Sequence, residues 1–272
     1  MTELRAVPVE GLPEIGEGDA LGELIAARVE LIDGDVLVIA QKIVSKAEGR
    51  VRRLSAEIPG AEARRLAAAL GKEPALVQLI LDESREVLRA ERGVLIVETH
   101  HGFVCANAGI DTSNLPEEGT ACLLPEDPDA SARRIRAELV DVVAGRDVGV
   151  GVSGQKRGVS GDPHPNFPLG IGVVIADSFG RAWRVGQAEV AIGCAGLEPL
   201  DDWRGRADAH GQELQATQIA VADEIAAAAD LARTKDSGVP AVIVRGLSRY
   251  VTPDDGPGAQ ALRRPRSEDL FR

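Results

Sequence analysis

Two apolar runs in this chain each end in an acid followed by a hydroxyl. One is Ile110-Asp111-Thr112, inside CANAGIDTSN (105–114), where Ser113 and Asn114 add further oxygen donors; the other is Ile175-Ala176-Asp177-Ser178. Taken singly, each aspartate reads as a turn cap, since Asp accepts hydrogen bonds from nearby backbone N–H groups. Strand ends beside turns are also where sites are commonly built. If Asp111 and Asp177 converge, two carboxylates ~4 Å apart repel by ~4 kcal/mol at an effective dielectric of 20. Such a pair needs a proton or a cation. Hard oxygen donors suit Mg²⁺ or Mn²⁺, which keep waters and bridge to substrate phosphates. On that reading a strand holds Asp111 rigidly at a metal.

Basic residues near these acids have two readings each. QKIVSKAEGR (41–50) comes directly after a buried strand. Its lysines either blunt a solvated strand edge, or Lys46 supplies a point charge for phosphate. In DSFGRAWR (177–184), Arg181 and Arg184 either pair with nearby acids or grip a phosphate or carboxylate bidentately. RTKDSGVP (233–240) reads as a helix end, with Arg233 and Lys235 favourable against the dipole. GLEPLDDWRGRADAHG (196–211) is dense in acids that serve loops and caps, with Asp202 or Asp208 within reach of a metal. GVGVSG (149–154) has the GxGxxG spelling, but the dinucleotide fingerprint needs a helix to open there. The stretch after it, QKRGVSGDPHPNFPLG, holds three prolines and three glycines and cannot start one. No P-loop, GxSxG or HExxH spacing occurs. His100 and His101 read as a solvated turn tip.

The elements that must position these groups mix irregularly. Residues 3–9 alternate like a strand, and Leu21, Leu24, Ile25 and Val29 have helical spacing. Residues 34–41 form a short continuous apolar run, hence a buried strand. Helices are predicted over 61–70, 75–84 and 127–145, with strands between 85 and 110, up to Asp177, over 186–196, and over 239–246. The longest helix is predicted over 211–232, with Leu214, Val221, Ile225, Ala228 and Ala232 on one face. The Pro-, Gly- and Arg-rich tail 252–272 reads as loose. Without regular βα alternation, the expected class is α+β, with mixed and antiparallel sheets, packed helices and two intertwined subdomains.

Composition excludes some partners. The 272 residues carry a formal net charge of −12, which repels nucleic acid. No run of ~18 apolar residues is present, so no membrane helix is expected. The N-terminus lacks a basic region followed by an apolar stretch, so no signal peptide is expected. Cys105, Cys122 and Cys194 are widely spaced and odd in number, which fits reduced structural thiols and a cytoplasmic setting.

Several long motifs then fall in one order: EGLPEI, GDVLVIAQKIVSKAEGR, CANAGIDTSN, LPEDPDASARRIR, DSFGRAWRVGQAEVAIGCAGL, DDWRGRADAHGQEL and VPAVIVRG. Over residues ~3–247 the chain resembles the coenzyme F420-0:L-glutamate ligase family, the gamma-glutamyl ligases of that coenzyme. The resemblance implies a ligase domain over 1–250, with 251–272 as a tail and an inserted segment at about 151–170. It implies transfer of L-glutamate to the phospholactate end of coenzyme F420-0, with GTP as co-substrate, two Mg²⁺ or Mn²⁺ ions per site and K⁺ as a further activator. It implies homodimers with the nucleotide site near the subunit interface. By motif match Asp111, Asp177 and Ser178 take metal-ligand positions. Leu12, Pro13, Glu14, Ile15, Gln41, Lys42, Lys46 and Asn114 take nucleotide positions. So does the segment from Ala232, including Thr234, Lys235, Asp236, Ser237, Gly238 and Val239, although its side chains depart from the acids and glycines of some members.

The expected mechanism passes through an acyl phosphate, with Asp111 and Asp177 holding the metals, Lys46 the nucleotide, and Arg181 or Arg184 a substrate anion. In the insertion, Lys156 and Arg157 read either as a basic lid or as surface decoration. Two rival classes keep part of the pattern: a metal-dependent nucleotide phosphohydrolase, and a non-catalytic binder of nucleotide or deazaflavin.

Overall fold

The computed structural model describes residues 3–113, 115, 117–149 and 170–270, so Asn114, Lys156, Arg157 and nearly all of the 151–170 insertion lie outside the described residues. The fold is α+β. Its largest sheet has five strands in the order β1 (Arg5–Pro8), β12 (Ala241–Arg245), β2 (Asp35–Ala40), β8 (Ile171–Arg181) and β9 (Arg184–Ala195). All neighbours are antiparallel except β2 and β8, which run parallel.

The alternation along β2 explains why its sequence is apolar after Asp35. Leu37 and Ile39 join Ile171, Val173 and Ile175 of β8 on one face, under α1 (Leu21–Ala26) and α5 (Pro128–Gly149). Val36 and Val38 join Val174, Val242 and Val244 on the other, under α6 (Val221–Asp230). A strand covered on both faces keeps few polar residues, and Asp35 at the start of β2 is buried against Arg245 at 3.2 Å.

A smaller layer lies between α2 (Gln41–Ala47) and α5 in the sequence. A ribbon of β3 (Val51–Arg53) and β7 (Thr120–Cys122) opens and closes it. Inside it, β4 (Ser84–Glu91), β5 (Val94–Thr99) and β6 (Val104–Ala106) form an antiparallel sheet. That sheet packs on α3 (Ala61–Leu70) and α4 (Pro74–Asp82) through Leu66, Val77, Ile80, Leu95 and Val97.

Four expectations change. The stretch after β2 is a helix, α2, not a strand edge; Ile43 and Val44 are buried while Lys42 and Lys46, one turn apart, share the other side. The helix predicted over 211–232 shrinks to α6. Its first half instead pairs backward across a hairpin, with β10 (Asp201–Asp202) against β11 (Gln218–Ile219), Trp203 N–H to Thr217 O at 3.0 Å, and Leu214 N–H to Arg206 O at 2.8 Å. Helical spacing of Leu214 with Val221 is coincidental, because backbone partners across the hairpin are nearer. The longest helix among the described residues is α5, which passes Gly145 and runs to Gly149.

The tail is not loose either. Asp129, buried near the start of α5, accepts backbone N–H groups from Cys194 (2.9 Å), Ala259 (2.7 Å) and Gln260 (3.3 Å). Arg136 of the same helix pairs with Asp255 at 2.8 Å. Further on, Arg263 lies over the Phe103 ring and Arg266 reaches Glu86 of β4 at 2.8 Å, so residues 252–266 strap the smaller layer to the main sheet. Among the described residues no helix is long and apolar enough to cross a membrane.

Candidate active site

The C-terminal ends of the parallel pair lie side by side, with Ala40 opposite Ala176. Immediately beyond, one chain turns into α2 through Gln41 and Lys42, while the other continues as Asp177 and Ser178. Crevices outside such strand ends are favoured ligand sites. Here they open onto a cavity of about 680 Å³.

The cavity gathers residues from distant segments. The N-terminal loop contributes Leu12, Pro13, Glu14 and Ile15; α2 contributes Gln41, Lys42 and Lys46; the smaller layer contributes Asp111. β8 supplies Asp177 and Ser178, and the segment after α6 supplies Thr234, Lys235, Gly238 and Val239. Asp236 and Ser237 do not line it. They shape the turn, Asp236 accepting the Thr234 hydroxyl at 2.7 Å and Ser237 donating to Thr234 O at 2.8 Å. Arg181 sits at the exposed tip of the β8–β9 hairpin, where its Nη2 donates to Val185 O at 3.1 Å, outside the cavity walls; Arg184 is exposed at the same tip.

Asp111 is not carried in by a continuous strand. β6 stops at Ala106, and Asn107, Ala108 and Gly109 all take positive φ (52°, 57° and 69°). Asp111 is then fixed by a two-way backbone bridge to Cys122, 3.0 and 2.8 Å. Its Oδ2 meets Lys42 Nζ at 2.7 Å and its Oδ1 accepts Ser113 N–H at 2.7 Å. Burial pushes this carboxyl up, but the hydrogen bonds and charge of Lys42 and Ser113 together outweigh it, and the net shift is downward.

Asp177 is the opposite case. Burial is the main influence, opposed by the Ser178 N–H it accepts at 2.9 Å and reinforced by the negative charges of Glu189 and Asp111, and the carboxyl is raised to about 6. The two aspartates that the sequence singled out therefore share one cavity and feel each other's charge. Lys46 pairs with the exposed Glu14 at 2.5 Å. Gln41 lines the cavity, yet its amide is committed to Ser45 Oγ (2.6 Å) and Leu123 O (2.9 Å), so it ties α2 to the end of the β3–β7 ribbon.

Glu189, which the sequence did not mark as a site residue, belongs to this wall, as does Arg233 from the segment that begins at Ala232. Glu189 lies opposite Ser178 in the β8–β9 register and accepts its hydroxyl. Lys235 Nζ lies 2.5 Å from Ser178 Oγ and 3.2 Å from Glu189 Oε1, and Arg233 Nη2 lies 3.5 Å from Glu189 Oε2. In AEVAIG the acid hides inside an ordinary strand pattern; only the strand register reveals its partner.

Asp202 and Asp208 stand apart from the site. Asp202 pairs with Arg204 at 2.6 Å on the outer hairpin, and Asp208 accepts N–H groups from His210 and Gln212, both at 2.8 Å. His101 is not a solvated tip: it stacks on Phe103, and burial lowers its pKa.

Among the described residues no group of three or more His, Cys, Asp or Glu side chains forms a ready metal cage. The donor set nevertheless suits a hard cation that takes most of its coordination from water and phosphate. It comprises two carboxylates and a hydroxyl facing one space, and ammonium groups already sit against Asp111 and Ser178. Across the whole wall five carboxylates face four basic side chains, so added cationic charge is needed before a polyphosphate is welcome.

The model of the family described as F420-0:Gamma-glutamyl ligase matches residues 11–246. A protein of Methanothermobacter thermautotrophicus named coenzyme F420:L-glutamate ligase is 43% identical over 275 residues, covering 99% of both chains. Proteins of the same name from Archaeoglobus fulgidus and Natronomonas pharaonis are 42% and 40% identical, each over 99% of this chain and 96% and 95% of their own.

Proposed function

We infer the reaction from one premise: this chain belongs to the F420-0:Gamma-glutamyl ligase family. It joins L-glutamate to coenzyme F420-0, and then to the product as gamma-linked glutamates, with GTP as the energy source. The acceptor carboxylate oxygen attacks the γ-phosphorus and GDP leaves. The glutamate amine then attacks the resulting acyl phosphate at carbon, losing a proton as inorganic phosphate departs. The working unit is a homodimer, with K⁺ as an additional activator and the cytoplasm as its setting.

The chain's own residues do identifiable work on this reading. Lys42 and Lys46 meet the polyphosphate, each exchanging a carboxylate partner, Asp111 or Glu14, for a phosphate oxygen. The loop Leu12–Ile15 and the turn at Gly238 and Val239 shape the nucleotide end of the cavity. Asp111, Asp177 and Ser178 would hold Mg²⁺ or Mn²⁺, which supplies charge neutralisation on the transferring phosphoryl group. Arg181 lies at a hairpin tip outside the cavity, so a role for it with substrate requires that tip to move.

The observation that supports this reading best is the convergence of Asp111 and Asp177, sixty-six residues apart, beside Lys42 on one cavity. The test is GDP release with acceptor, glutamate and divalent metal omitted in turn, read alongside product mass. A ligase releases GDP at its full rate only with all of them present and yields the glutamyl adduct. Fast phosphate release from GTP alone would make the protein a phosphohydrolase.

A further inference from the structure

The buried Glu189 carboxylate is not accounted for by the strand that carries it. It is 4% exposed on β9, where an apolar residue of similar size would fit the pattern of its neighbours. Isolated burial of a charge is strongly unfavourable, and replacing a buried ion pair by apolar groups is often neutral or stabilising. A carboxylate at this position therefore calls for a role beyond packing.

Its contacts identify the role. One oxygen takes the Ser178 hydroxyl and, at 3.2 Å, the Lys235 ammonium; the other faces Arg233 Nη2 at 3.5 Å. Arg233 is itself nearly buried and also donates to Pro240 O at 3.1 Å, closing the 233–240 turn on itself. Lys235 is 72% exposed, and its bonds to Ser178 and Glu189 are what bring it back to the cavity wall. The turn between α6 and β12 is without regular structure, so its basic side chains depend on a fixed anchor on the sheet.

We propose that Glu189 is a positioning residue: it fixes the 233–240 turn against β8, aims Lys235 at the nucleotide's phosphates, and orients the Ser178 hydroxyl. This deepens the GTP-dependent reading and rests on it for the identity of the anion. Entry of a phosphate would let Lys235 exchange its carboxylate partner for a phosphate oxygen while Arg233 keeps the turn anchored to Glu189.

Two measurements on Glu189→Gln test it, with Glu189→Asp as the conservative control. In the protein alone, hydrogen exchange at the backbone amides of 233–239 is expected to rise about tenfold or more in Glu189→Gln, the scale of losing one charge-assisted hydrogen bond, with the amides of β2 and β8 unchanged. In turnover, the Michaelis constant for nucleotide is expected to rise by a similar factor while that for glutamate stays constant, and Lys235→Ala added to Glu189→Gln should add little. Glu189→Asp should recover part of both effects. Unchanged exchange would overturn the anchoring. Faster exchange with an unchanged nucleotide constant would reduce Glu189 to a structural residue and overturn the proposal. Faster exchange in a protein whose wild type does not use GTP would leave the anchoring standing while the GTP reading fell.

Discussion

At the scale of single residues, the two central aspartates have opposite energetics. Asp111 is matched by Lys42 and held below the usual carboxylate range, whereas Asp177 is raised to about 6 by burial and by like charges. Both Asp111→Asn and Asp177→Asn are expected to cut turnover about 100-fold or more, the scale of removing a key electrostatic group. Their stabilities should move apart. Ionised Asp177 opposes folding of the metal-free protein by ~2–3 kcal/mol at neutral pH, and Asp177→Asn relieves this. Because the folded value is the higher one, wild-type stability at this residue declines as pH rises from ~4 to about 6, and the Asn variant lacks that decline. Asp111→Asn breaks a half-exposed pair and should lose about 1 kcal/mol or less. Denaturant titrations in chelator at pH 4.5 and 7 would check both directions; two variants that move together would contradict this picture of the site. The sequence made Asp111 and Asp177 legible because each ends an apolar run in an acid and a hydroxyl. It hid Glu189, whose partner Ser178 is visible only once β8 and β9 are in register.

At the scale of elements, the buried strands were readable and the connections were not. β2, β8 and β12 announce themselves because both faces are covered. The outer hairpin 201–219 is held largely by backbone pairing, and the strap 252–266 by the Asp129 carboxylate, the Arg136–Asp255 and Arg266–Glu86 ion pairs and Arg263 over Phe103, none of which leaves a hydrophobic period. The strap depends on Asp129, whose carboxylate serves three backbone N–H groups at once. Asp129→Ala is expected to lose about 2–4 kcal/mol, since buried donors are left without acceptors. It should also make the chain susceptible to proteolysis after Tyr250. Where β9 meets the first residues of α5, a Cβ added at Gly193 would stand 2.3 Å from the Pro128 carbonyl oxygen. Gly193→Ala should therefore push α5 off β9 and destabilise by about 1–3 kcal/mol, as overpacking does. Calorimetry on both variants checks this; a Gly193→Ala melting temperature equal to wild type would mean that α5 begins further from the sheet.

For the whole molecule, charge sets the conditions for binding. A protein of net charge −12 whose cavity wall carries five carboxylates against four basic side chains offers a nucleotide polyphosphate little attraction. Lys42 and Lys46 are already paired with Asp111 and Glu14, so a phosphate must compete for them. A divalent ion held by Asp111 and Asp177, as proposed, would change that balance by cancelling charge on the aspartates and the phosphates and by releasing Lys42 from Asp111. Binding should therefore be cooperative between metal and nucleotide. Ligand at about 100 times its dissociation constant stabilises the folded state by ~2.7 kcal/mol. For a chain of this size that corresponds to roughly 5 °C in melting temperature. We predict that GDP alone or Mg²⁺ alone moves the melting temperature by about a degree or less, while the two together give the full shift. The Asp177→Asn variant, although more stable at rest, should lose most of the joint response. An equal shift from GDP without metal would show that the lysines suffice, and would remove the reason for assigning a cation to Asp111 and Asp177.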